Sequence, residues 1–107
     1  MSLSRLRREI DRIDAELLRL LNRRAKLALR VGRLKRKQRQ PVFAPRRERM
    51  VLRRMVRVGR GPLPAASIRA IFQEILRQSR NLQVTTQKKK VGDKLQASSH
   101  RPQASYL

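Results

Sequence analysis

Residues 3–39 read LSRLRREIDRIDAELLRLLNRRAKLALRVGRLKRKQR, a run without proline and with a single glycine, Gly32. Its apolar residues recur every seven positions. Leu3, Ile10, Leu17 and Val31 fall on one heptad position, and Leu6, Ile13, Leu20, Leu27 and Leu34 on another. That spacing puts them along one seam of an α-helix, which should end near Gln40 because Pro41 disfavours helical geometry in the residue before it. At ~1.5 Å per residue the helix is about 55 Å long, whereas a compact domain of about 100 residues has a radius of gyration near ~13 Å. Such a rod cannot be wrapped by its own chain. The uncovered seam calls for a partner, and the simplest one is a second copy related by a two-fold axis.

The seam position not filled by an aliphatic residue holds Arg24. A guanidinium there is costly unless an anion pairs with it or the side chain snorkels to water. Lys35 follows eleven residues later, and at ~100° per residue the two cations return to within about 20° of one helix face. Ala28 and Gly32 lie between them, small enough to leave room for a ligand; otherwise Lys35 belongs to a solvated face. Either reading is open from spacing alone.

Composition narrows the chemistry. The 107 residues suit one domain. There is no cysteine, which excludes a disulfide framework or thiolate site and suits a reducing cytosol. His100 is the one histidine and sits in a polar tail, so metal chemistry and imidazole base chemistry are nearly excluded. No segment is apolar enough to cross a membrane, and the N-terminus has no signal-peptide core. A formal net charge of +22 attracts polyanions of any kind. With aromatics at 3% there is no stacking platform for single strands, so nucleic acid is expected to bind only non-specifically. The same field steers a small dianion.

Ser2 or Ser4 can cap the first helix, whose acids favour its N-terminal half and whose bases favour its C-terminal half, as the helix dipole prefers. Pro45 suits a first helical turn, and Val51, Leu52, Met55 and Val58 give a short second helix an apolar stripe that Gly59, Gly61 and Pro62 close. A third helix should start around Pro64 and bury Ile68, Ile71, Phe72, Ile75, Leu76 and Leu82. Ser79 and Gln83 extend that face with polar groups, as a pocket wall or a fraying end would. From Val84 the pattern stops. Residues 84–107, with Lys88, Lys89 and Lys90, read as a basic Ser/Gln-rich tail too poor in apolar residues to fold alone, leaving 1–83 as the helical domain.

An all-α chain of long, short and medium helices, with buried cations and no catalytic histidine, cysteine or metal ligands, resembles the all-helical chorismate mutases of the bacterial intertwined-dimer type, including the mutase domain of bifunctional prephenate dehydratase proteins. The resemblance runs from about Leu3 to Gln83. It is carried by Leu6 to Asp14 (LRREIDRID), Leu17 to Arg24 (LLRLLNRR), Val31 to Lys35 (VGRLK), Pro41-Val42, Arg47-Glu48-Arg49, and Ile71 to Ile75 (IFQEI) with Ser79 and Gln83. It implies an intertwined homodimeric helical bundle. The implied reaction is the pericyclic rearrangement of chorismate to prephenate in phenylalanine and tyrosine biosynthesis, with no cofactor or metal. By match to the family motifs, Arg24 binds a substrate carboxylate, and Arg7 of the other subunit binds the second. Lys35 and Gln83 donate to the ether oxygen, Glu48 accepts from the ring hydroxyl, and Arg47 and Ser79 complete the pocket. Independently of the family, Arg7 and Arg24 lie ~25 Å apart along one helix and cannot grip one small molecule in cis.

Two features depart from the pattern. Ala44 stands in the loop before the second helix where the family often has an acid, and the linker between helices two and three is one residue shorter. The rival on the same scaffold is an isochorismate-pyruvate lyase; the rival of another class is a small basic helical protein that binds nucleic acid.

Overall fold

The computed structural model describes residues 2–87 and contains three helices: α1 Leu3–Lys37, α2 Pro45–Val58 and α3 Ala65–Gln87. The Lys88 to Lys90 run and His100 lie outside the described residues. α3 packs against both other helices, while the backbones of α1 and α2 do not approach each other closely. Among the described residues no helix is long and apolar enough to cross a membrane.

α1 starts where Ser2 accepts a hydrogen bond from the Arg5 backbone N–H at 3.2 Å, and its last turn carries Lys35, Arg36 and Lys37, favourable to the helix dipole. It ends at Lys37, earlier than the expected stop near Gln40. The reason is a local cap: Arg39 takes a left-handed φ of 56°, its N–H bonds to Arg36 O at 3.2 Å, and the Gln40 N–H bonds to Lys35 O at 2.8 Å. That pair of bonds is a Schellman motif, which turns the chain before Pro41 is reached.

α2 opens on Pro45 with Ala44 at its N-cap, a residue with no side chain to cap it, and stops at Gly59. Val51 is buried and Leu52, Met55 and Val56 are half-buried; Val58, expected on this stripe, is instead exposed, because the stripe turns from Met55 to Val56. α3 buries Leu76 and half-buries Ile68, Phe72, Ile75 and Leu82, whereas Ile71 faces out. The helix continues to Gln87, past the boundary expected at Gln83. There the Thr85 hydroxyl donates to Asn81 O at 3.0 Å, back along the helix.

α3 covers only the C-terminal part of α1. Residues 2–23 are all exposed, and the seam stands bare, with Leu3 at 62%, Ile10 at 55% and Leu17 at 52% exposure. Where the helices do meet, Gly32 of α1 makes the approach possible. A Cβ on Gly32 would sit 3.0 Å from the Gln83 Cα, tighter than nine in ten real Cβ contacts. The expectation that both small residues leave room for a ligand therefore holds for Ala28, which lines a cavity, but not for Gly32, whose missing side chain admits α3.

Candidate active site

The loop between α1 and α2 and the polar end of α3 close over the C-terminal part of α1. Between them lies a cavity of about 460 Å³. Arg24, Lys35, Arg47, Glu48, Ser79 and Gln83 all line it, together with Ala28, Ala44 and Arg80. Arg7 does not: it stands on the exposed N-terminal half of α1, consistent with the separation its sequence position demands. Leu27 and Val31, members of the bare seam, form part of the cavity wall while staying 56% and 43% exposed.

Each cation is held by the opposite helix. Arg24 donates from Nη1 to Ser79 Oγ at 2.5 Å, and the Ser79 hydroxyl donates in turn to Ile75 O at 2.9 Å, which leaves its oxygen to accept from the guanidinium. Lys35 Nζ donates to Val42 O at 2.7 Å and to Gln83 Oε1 at 2.9 Å. The ammonium has three N–H bonds, so one remains for a ligand. Because the carbonyl end of Gln83 faces Lys35, its NH₂ group is the end left to donate. Gln83 as a residue is buried.

The electrostatics favour an anion. Burial holds the Arg24 guanidinium below the ordinary arginine range, and repulsion from Arg47 adds to the effect. Burial also lowers Lys35 below the ordinary lysine range, partly opposed by attraction to Glu48. A bound carboxylate would offset the cost that burial places on both cations.

One member of this cavity escaped the sequence reading. Arg80 donates from Nη1 to Glu48 Oε1 at 2.5 Å, and its guanidinium carbon lies 5.3 Å from the centre of the Phe43 ring. The signal was present in the spacing: Arg80 is one turn beyond Leu76 and one turn before Gln83, on the face that Ser79 and Gln83 continue. A lone arginine in a chain so rich in arginine does not stand out.

Known proteins resemble this arrangement closely. Residues 6–84 match the model of the family described as chorismate mutase type II. The chain is 45% identical over 78 residues to a bifunctional chorismate mutase/prephenate dehydratase of Aquifex aeolicus (strain VF5), covering 69% of this chain and 22% of that protein. It is 47% identical over 70 residues to a protein of the same description from Neisseria gonorrhoeae, covering 65% of this chain and 19% of that one. The chain thus spans about a fifth of the length of these relatives. Among solved structures, a chorismate mutase from Thermus thermophilus superposes with a TM-score of 0.75 at 37% identity, over 76% of this chain and 92% of that one. A chorismate mutase from Helicobacter pylori in complex with prephenate superposes with a TM-score of 0.74 at 32% identity, over 80% and 93%.

Proposed function

Because the chain belongs to the chorismate mutase type II family, we propose that it rearranges chorismate to prephenate in the cavity between α1, α2 and α3. The observation that carries this reading is the meeting of Lys35 and Gln83, two hydrogen-bond donors from different helices, in a cavity that also holds Arg24. A pericyclic rearrangement needs no nucleophile. It needs the substrate folded into its compact conformer, and it needs negative charge stabilised on the ether oxygen as the C–O bond breaks.

The side chains divide that work. Arg24, fixed by Ser79, takes one substrate carboxylate. The free N–H of Lys35 and the NH₂ of Gln83 point their positive ends at the ether oxygen, where charge grows in the transition state. Glu48 accepts from the ring hydroxyl, and Arg47 adds positive potential along the wall. None of these groups changes its covalent state.

The second substrate carboxylate requires Arg7, and the required arginine comes from a second copy of the chain. The bare seam supports a homodimer: a helix with a continuous exposed apolar stripe needs a facing stripe, and Leu27 and Val31 join that stripe to the cavity. Antiparallel copies crossing near Leu17 bring Arg7 of one towards the Arg24 to Lys35 segment of the other. We also assign the chain to the cytoplasm, where a protein without cysteine loses nothing to reducing conditions.

A product assay tests the reaction. Purified chain given chorismate should yield prephenate. Salicylate and pyruvate formed from isochorismate, without prephenate from chorismate, would replace this reading with the lyase.

A further inference from the structure

Glu48 carries the acidic side chain of the cavity wall, and in this chain it is not left to find its own orientation. The ion pair to Arg80 joins α2 to α3 and is partly withdrawn from water, with the Glu48 side chain 18% and the Arg80 side chain 32% exposed. Glu48, Leu76 and Arg80 also line a second cavity, of about 510 Å³, that includes Phe43, Pro45 and Gln73. The pair therefore stands as a wall between two hollows. A guanidinium can bond a carboxylate through its edge and stack on an aromatic ring through its face, which a lysine ammonium cannot do in the same way. Phe43 supplies that ring from the residue preceding Ala44.

We propose that Arg80 is the positioning residue for Glu48: it holds Oε1, so that Oε2 is the oxygen presented to the substrate hydroxyl, and Phe43 holds Arg80. The proposal rests on the mutase reading for the identity of that hydroxyl. It accounts for a functional Glu48 beside Ala44, since the direction of the carboxylate comes from α3 rather than from the loop. Arg80 acts through Glu48 and need not touch the substrate.

The test is a double-mutant cycle on the full 107-residue chain with Glu48→Gln and Arg80→Ala, read both by chorismate turnover and by melting temperature. Arg80→Ala should lower kcat/KM about tenfold and Glu48→Gln about a hundredfold, with the double variant within about twofold of Glu48→Gln alone. Arg80→Lys, which keeps the charge, should recover part of the loss; Phe43→Leu, which keeps bulk without the ring face, should show an intermediate one. The melting cycle should show the same pair coupled. Losses that multiply in the double variant, or the absence of coupling in melting, would overturn the positioning role. An unmutated chain that melts cooperatively but turns over no chorismate refutes the mutase reading instead, while the melting cycle still decides whether Arg80 holds Glu48.

Discussion

Gly32 on α1 and Gln83 on α3 are in contact through the backbone of the second: a Cβ on Gly32 would lie 3.0 Å from the Gln83 Cα and 3.2 Å from its Cβ. The closest obstacle is backbone rather than the tip of a flexible side chain, so α3 itself must move to accept a methyl group. Because Gln83 also receives the Lys35 hydrogen bond, a helix-packing contact and a contact of the proposed active site share one residue.

Gly32→Ala should therefore act on both. Overpacking of this kind costs about 1–3 kcal/mol, and displacement of Gln83 by a few tenths of an ångström should lower kcat about ten- to a hundredfold. Thermal melting and steady-state kinetics on the same preparation check the pair of effects. Lost stability with unchanged kcat would separate the packing contact from the catalytic one.

As the proposed donor to the ether oxygen, Lys35 should set the alkaline limit of activity. Its protonated form is the donor, and burial has lowered its pKa, so the proton leaves earlier as pH rises than from an ordinary lysine. The profile of kcat/KM should fall on the alkaline side below the usual lysine value of ~10.4. Lys35→Arg, if it turns over at all, should carry that limb to higher pH. A wild-type limb at or above the ordinary lysine value would remove Lys35 from this role.

Shared sites make inactive subunits complement one another. Arg7→Ala and Lys35→Ala chains should each lose about a hundredfold or more in kcat/KM when assayed alone. Refolded together, mixed dimers have one site with both residues intact, and roughly a quarter of wild-type activity should return at equal mixing. Mixed dimers that form yet stay inactive would show that each site is built within one chain.

Arg39 offers a stability gain unrelated to the chemistry. It occupies the left-handed position of the cap that ends α1, where a side chain costs about 1 kcal/mol relative to glycine. Arg39→Gly should raise the melting temperature by roughly 2–8 °C, allowing for the added flexibility of the unfolded chain, with turnover unchanged. Loss of stability would mean that the Arg39 side chain contributes more than its backbone strain subtracts.

The long first helix was legible because a seven-residue apolar repeat sustained over about ten turns admits one physical solution. Arg24 and Lys35 were legible because cations on an apolar face are expensive. The end of α1 was harder to place, since its cap uses an arginine where glycine would announce a left-handed turn. α3 outran its expected boundary because backbone hydrogen bonds carry a helix past its last apolar contact, which apolar periodicity does not record. At Gly32 the gap is filled by α3, and spacing along one helix cannot tell whether a molecule or another helix will fill it. Arg80 went unseen because its meaning depends on Glu48 and Phe43, thirty-two and thirty-seven positions away.

Among the described residues, the buried hydrophobic side chains are Ala28, Val51 and Leu76, and no large side chain is completely enclosed. So thin an interior gives a solitary copy little to resist thermal unfolding. With a second copy along the first helix, as proposed, that copy enters the folding equilibrium as a reactant, and mass action follows: the melting point should climb with protein concentration, and extreme dilution should dissolve tertiary order and turnover in step.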